Sequence, residues 1–285
     1  MPIRSDCHMH SLHSGDSHAS MEEQIRSAES RGLESLCFTE HYDMDFPYDR
    51  NPEISKDRYG MFELDMEAYR SDFLKQKEAL AKQQSRNVPP FEIRFGIELG
   101  LLPGLNVRYH SFLEENPDLD FVIGSTHLCG STDPFYPRFY EGRTEEEAYR
   151  EYFSFALSCI RSCDCFDSYG HLDYVVRYGP HKDRDYSYEK YSDLIDPMLS
   201  VLIDRGKALE LNTAPFGKGC REQNPSASIL RRYRQLGGEM VTVGADAHVP
   251  ENVALRFDTA AEVLSACGFR YYTVFRERRP VFCRL

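Results

Sequence analysis

A chain of 285 residues that is 41% apolar is long enough for one large α/β barrel or for two ordinary domains. Its formal charge of −12 and the lack of a basic stripe argue against nucleic acid or an anionic membrane surface as the main partner. No run of 18 apolar residues occurs, and the opening MPIRSDCHMH lacks the apolar stretch of a secretory leader.

The first strand-like run, PIRSDCHMH, closes on His8 and His10, with Asp16 six residues further on. Alternation along a strand turns both imidazoles to the same side. Met21 to Arg31 then reads as a helix, with Ser20 as N-cap, Glu23 three residues later and Gly32 closing it. The run LESLCFTEH ends in Glu40 and His41. A longer helix follows from about Asp65 to Gln84, with Tyr69, Phe73 and Leu80 on one face and Pro89-Pro90 as its stop. FEIRFGIELG ends near Glu98, and FVIGSTHL reaches His127. Glu145 to Arg161, led by Thr144, carries Tyr149, Phe153, Ala156 and Ile160 at helical spacing. SYGHLDYV brings in His171. Tyr191 to Arg205 is the next helix, and ALELNT the next strand. Ala227 to Leu236 precedes MVTVGADAH, which ends in Asp246 and His248, and Val253 to Cys267 is the last helix.

Seven short runs alternating with helices predict a barrel of parallel strands, in one domain spanning residues 1–285. Functional side chains gather at the carboxyl ends of such strands, where these histidines and carboxylates fall. Residues 42–62 and 128–142, rich in Pro, Tyr, Asp and Arg, read as loops over the mouth. Nine cysteines are scattered without a CxxC pair, and Cys7 and Cys37 sit inside strand-like runs as small hydrophobes. The expected setting is a reducing cytoplasm. Nothing in the sequence specifies an oligomeric state.

The ligand set is His8, His10, Asp16, His41, Glu98, His127, His171, Asp246 and His248. All are hard or borderline donors suited to zinc, iron or manganese, and nine are too many for one tetrahedral ion. Two or three divalent ions sharing a bridging carboxylate account for them. Glu98 is the natural bridge, since a carboxylate buried at the heart of the molecule needs cations around it. Each histidine alone reads equally well as a satisfied core residue. Their joint placement at successive strand ends is what points to metal-assisted hydrolysis of a phosphoester. Asp173 is expected to orient a ligating histidine, His13 and His18 to be solvated, and the small residues before His127 and His171 to let a metal approach.

The stretches DCHMHSLHSGD, FTEHYD, FGIELGL, GSTH, GHLDYV, ELNT and VGADAH together resemble the PHP (polymerase and histidinol phosphatase) superfamily, and within it the histidinol-phosphate phosphatases. The resemblance runs from residue 6 to residue 248. It implies a distorted (β/α)7 barrel with a trinuclear centre at the carboxyl ends of the strands. One ion would take His8, His10, Glu98 and Asp246, a second Glu98, His127 and His171, and a third Asp16, His41 and His248. Glu98, Arg177 and His248 are implied as catalytic groups, with Arg177 holding phosphate. After ELNT this chain reads APFGKGCRE where relatives carry a Gly-Leu-Arg-Lys-like stretch, which makes Lys218 and Arg221 candidate replacements. The expected partner is a small phosphorylated substrate, with L-histidinol phosphate first and another phosphomonoester as the alternative. Asp43 and Asp45 are candidates to meet its ammonium group, and His18 to protonate the leaving alkoxide.

Overall fold

A computed structural model describes residues 2–83 and 91–285. Seven parallel strands pair in chain order: β1 (Ser5–Asp6), β2 (Ser35–Tyr42), β3 (Glu92–Gly100), β4 (Phe121–Ser125), β5 (Ser168–Tyr169), β6 (Ala208–Asn212) and β7 (Val241–Gly244). Backbone bonds from Cys7 N to Val243 O (2.9 Å) and from Asp246 N to His8 O (2.8 Å) bring β7 back to β1. The sheet is therefore a nearly closed, distorted (β/α)7 barrel. Its first and fifth strands are only two residues long, and the bridge between Met9 and Ala247 continues the first beyond its end.

The strands are buried on both faces, so they read as nearly continuous apolar runs. Alternation decides what faces inward. Phe95 packs outward against Tyr69, with ring centroids 4.5 Å apart and the rings tilted by 33°, which leaves Arg94, Gly96 and Glu98 toward the barrel axis. One apolar cluster runs from Ile3 to Phe275.

The helices are α1 (Met21–Ser30), α2 (Met66–Gln83), α3 (Asn106–Glu115), α4 (Glu145–Ser162), α5 (Ser192–Asp204), α6 (Ala214–Gly217), α7 (Ala227–Gln235) and α8 (Phe257–Ala266). Ser20 with Glu23 and Thr144 with Glu147 form capping boxes that fix where α1 and α4 begin. The expected stop at Pro89-Pro90 lies outside the described residues. The last predicted helix starts four residues late, because Ala254 and Arg256 adopt positive φ of 52° and 57°.

Besides the one-turn α6, two elements had no prediction. One is α3, whose Tyr109 hydroxyl donates to the Gly100 carbonyl at 2.7 Å. The other is an antiparallel hairpin, β8 (Tyr271–Arg276) and β9 (Arg279–Arg284). Arg278 pairs with Asp167 and the Glu277 amide donates to Asp120 Oδ1 at 3.0 Å, so its turn closes the end of the barrel away from the histidines. The loops over the mouth hold each other through an apolar cluster of Phe46, Tyr48, Ile54 and Leu128, and through an Asn51 to Ser131 hydrogen bond of 3.0 Å. Among the described residues no helix is long and apolar enough to cross a membrane.

Candidate metal centre

Glu98 stands at the middle of the strand ends, wholly buried. His127 Nε2 lies 3.2 Å and His171 Nε2 2.9 Å from its Oε1. His8 Nε2 at 3.2 Å, His10 Nε2 at 3.6 Å and His41 Nδ1 at 2.9 Å approach its Oε2. One carboxylate thus serves two groups of imidazoles, one on each oxygen. The parallel register sets part of this directly, since His41 on β2 is the neighbour of Glu98 on β3. Asp246 Oδ1 lies 3.6 Å from His8 Nε2 and 3.3 Å from His10 Nε2. Nearer the mouth, Asp16 Oδ2 lies 3.5 Å from His41 Nε2 and 3.3 Å from His248 Nε2. The His10 ring stacks between those of His41 and His248, at 4.1 and 4.2 Å. All nine sequence-predicted ligands therefore come together.

Several of their atoms have no ordinary use. His8 Nε2, His10 Nε2, His41 Nδ1 and Glu98 Oε2 are buried without a hydrogen-bond partner. Such atoms are costly in an apolar interior unless something else binds them. Sets of donor atoms from His8, His10 and Glu98, from Glu98, His127 and His171, and from His10, His41 and His248 each lie within 4.8 Å of one another. Nitrogen and oxygen donors without thiolate suit zinc, iron or manganese. Burial resists ionisation of Glu98, yet the rings of His8, His127 and His41 hold its carboxyl well below the usual carboxylate range. The backbone also bends to deliver these groups. His171 and Asp246 have φ of 23° and 52°, conformations that residues with a Cβ seldom adopt.

Side chains around the donors orient them. His8 Nδ1 donates to Glu210 Oε1 at 2.6 Å, and the other Glu210 oxygen accepts from the His171 amide at 2.8 Å. His127 Nδ1 donates to Asp43 Oδ1 at 2.9 Å, and His10 Nδ1 to Ser14 Oγ at 3.1 Å. Ser125 Oγ donates to Glu98 Oε1 at 2.6 Å. Sequence reasoning missed Glu210, although it sits in the same kind of strand-end run as Glu98. It also gave the orienting role to Asp173, which instead accepts from Asn224 Nδ2 at 2.5 Å and the Ser226 amide at 3.1 Å. Asp43 is committed to His127 rather than open to an ammonium group, and Asp45 pairs with Arg108 at the surface. The glycine before His171 makes room for a neighbouring side chain: a Cβ on Gly170 would lie 2.2 Å from Ser125 Oγ. Gly244 is tied in the same way, with a Cβ falling 2.2 Å from that of His8.

A cavity of about 420 Å³ opens onto these groups. Arg177 reaches it from the turn after His171 and is almost fully buried. Its Nη1 donates to Asp246 Oδ2 at 2.8 Å and its Nε to Asn224 Oδ1 at 2.5 Å, while Nη2 has no partner. Lys218 lies on the same wall, exposed, with Nζ 5.2 Å from the Tyr178 ring centroid. Arg221 lines a neighbouring cavity instead, where its backbone amide donates to Asp183. His18 is exposed and does not border the metal-side cavity. The arrangement suits a compact anion presented to clustered cations, with a guanidinium donor beside it.

The model of the PHP domain family matches residues 6–214. The chain is 31% identical to the histidinol-phosphatase of Lactococcus lactis subsp. lactis over 272 residues, which is 95% of this chain and 93% of that protein. It is 30% identical to a probable histidinol-phosphatase of Clostridium acetobutylicum over 276 residues, 96% of this chain and 97% of the other. The crystal structure of the Lactococcus lactis histidinol phosphate phosphatase, complexed with zinc, L-histidinol and phosphate, superposes with a TM-score of 0.84 and covers 98% of both chains. The structure of a putative histidinol phosphatase from Listeria monocytogenes shares the fold, with a TM-score of 0.73, 20% identity and coverage of 90% of this chain and 99% of that one.

Proposed function

The chain belongs to the PHP domain family, and we propose that it is a metal-dependent phosphatase that hydrolyses L-histidinol phosphate to L-histidinol and phosphate, as in histidine biosynthesis. The observation that carries this reading is full-length likeness to a phosphatase whose structure holds zinc, L-histidinol and phosphate. The donor cluster around Glu98 supports it independently. We assign His8, His10, Glu98 and Asp246 to one ion, Glu98, His127 and His171 to a second, and Asp16, His41 and His248 to a third. The ions are two or three of zinc, iron or manganese. The partner is the small phosphorylated substrate, not nucleic acid or a membrane, in keeping with a charge of −12. Residues 1–285 act as one domain, a reading supported by the continuous core, and nine free cysteines fit a reducing cytoplasm.

When bound, divalent ions here supply Lewis acidity toward phosphoryl oxygens and make water nucleophilic at neutral pH. The protein's own groups do the positioning. Glu98 fixes the spacing between the two imidazole groups on its oxygens, and Glu210, Asp43 and Ser14 hold the ring orientations. Arg177 offers Nη2 to a phosphoryl oxygen while Asp246 and Asn224 lock its plane, so donating costs little reorganisation. Lys218 adds positive charge on the same wall. The phosphorus–oxygen ester bond breaks as water attacks phosphorus, and the alcohol leaves.

The test is phosphate release from L-histidinol phosphate by protein loaded with zinc, manganese or iron in turn, and again after chelation. Release that stops on chelation and returns with metal is expected. Hydrolysis of other monoesters without activity on L-histidinol phosphate would leave only a general phosphoesterase.

A further inference from the structure

Asp133 lies on the cavity wall, in the loop after His127, and orients none of the candidate ligands. Its side chain is buried, with a relative exposure of 7%. Oδ1 accepts from the Phe135 amide at 2.8 Å and from the Tyr174 hydroxyl at 3.3 Å. Oδ2 receives no hydrogen bond from any described residue. The nearby cations sit on other groups: Arg177 on Asp246 and Asn224, Arg58 on the Gly15 carbonyl at 3.2 Å, and Lys218 over the Tyr178 ring at 5.2 Å. Burial pushes the Asp133 carboxyl up to about 7, against the opposing pull of the Phe135 amide and the His127 ring. A carboxyl left this dry, with one oxygen free, gains most from a cation that arrives with a ligand.

The aromatic residues around it favour the same kind of guest. Phe135, Tyr136, Tyr174 and Tyr178 line the cavity beside Asp133. Phe135 packs edge-on against Tyr136 and Tyr178, with ring centroids 5.0 and 5.1 Å apart, and remains half exposed. Organic cations bind well against such ring faces. The spacing also fits. The Tyr174 ring centroid is 5.0 Å from that of His171 and 5.9 Å from that of His127, while its hydroxyl touches Asp133. The free carboxylate oxygen therefore stands about one phenol beyond the ligand shell, within reach of a cation a few bonds from phosphorus.

We propose that Asp133, with the wall of Phe135, Tyr136 and Tyr178, is the subsite for the cationic amine or imidazolium of the leaving group, and that it selects amine-bearing phosphomonoesters over neutral ones. This rests on the phosphatase reading of the metal-side cavity. It also assigns the ammonium contact to a residue other than Asp43 and Asp45, which the structure commits elsewhere.

Asp133→Asn tests the subsite, because the amide keeps the shape and an acceptor for the Phe135 amide while removing the charge. The metal-loaded variant and wild type would be compared on L-histidinol phosphate and on p-nitrophenyl phosphate, whose leaving group carries no cation. Loss of one charge-assisted contact predicts a fall in kcat/KM of roughly 10- to 100-fold on the amine substrate, mainly through KM. The neutral ester should change by less than about threefold, and Asp133→Glu should recover part of the loss. An equal fall on both esters would mark Asp133 as merely structural, and no fall on either would also overturn the subsite. Wild-type protein inactive on both would overturn the phosphatase reading and the subsite with it.

Discussion

His8 Nδ1 and Glu210 Oε1 lie 2.6 Å apart, both side chains buried from solvent, reaching past β7 from the end of the first strand to the sixth. A carboxylate can only accept, so the proton of the neutral ring sits on Nδ1, and Nε2 keeps a lone pair for a cation beside Glu98. The same carboxylate holds the His171 amide, which ties together two of the groups converging on Glu98.

Replacing Glu210 with Ala should therefore loosen metal binding before it touches chemistry. Contacts of this kind typically contribute 10- to 100-fold to metal affinity. Dialysis against graded chelator, followed by elemental analysis, should show Glu210→Ala losing metal at about that much lower chelator strength. Activity should recover in excess metal. A variant that held metal like wild type would remove the orienting role.

Glu98→Gln should behave differently. The amide keeps the volume but removes the charge that draws imidazole groups and cations to both oxygens. Turnover should fall by several orders of magnitude and excess metal should not restore it. Circular dichroism should show the fold intact, because the apolar core does not depend on this side chain. Near-normal turnover with full metal occupancy would mean that Glu98 is not a bridge.

The strand ends were legible because a buried parallel strand leaves a short apolar run, and a histidine or carboxylate at its end stands out against that background. His8, Glu98, His127 and Asp246 all announce themselves in this way. The orienting residues were not legible. Glu210 stands two residues before the end of its strand as Glu98 does, but its partner is 202 residues away, so nothing local marks it as the group that orients His8. Asp173 looked better by proximity to His171, but the chain turns there and spends its carboxylate on Asn224 and Ser226. Local sequence could not reveal α3 or the β8–β9 hairpin as parts of the barrel either. The helix α3 starts without a side-chain cap, and the hairpin is anchored by Asp120 and Asp167 from the distant bases of β4 and β5.

Asp133 also predicts a pH effect on stability. Its carboxyl is moved by burial from an ordinary 3.8 to about 7. Between those values the folded protein keeps a proton that the unfolded chain has released, so rising pH costs stability across this window. Asp133→Asn carries no such proton. The stability difference, variant minus wild type, should shift in favour of the variant from pH 4 to pH 7 and level off above it. At full size the shift is at most about 4 kcal/mol. Urea unfolding of both proteins in the same metal buffer at several pH values measures it. A difference independent of pH would show that Asp133 is ionised throughout.

The three basic residues around the departure from the family pattern should separate cleanly. Arg177 is buried, braced by Asp246 and Asn224, and has a free Nη2. Arg177→Ala should lower kcat/KM by roughly 2–4 kcal/mol on every phosphomonoester, the cost of losing one donor to a developing oxyanion. Arg177→Lys should recover little, since a compact ammonium cannot span Asp246, Asn224 and a phosphoryl oxygen as the separate nitrogens of the planar guanidinium do. Lys218 borders the cavity but is exposed, so Lys218→Ala should cost at most about 1 kcal/mol, the usual worth of a solvated charge. Combined with Arg177→Ala its effect should be less than additive, because both act on one phosphoryl group. Arg221 lines a different cavity, and Arg221→Ala should leave kcat/KM unchanged. If Arg221→Ala matched Arg177→Ala instead, the segment after Thr213 would have to swing toward the metal side when phosphate binds, and Arg221 would stand in for the arginine of the Gly-Leu-Arg-Lys-like stretch it replaces.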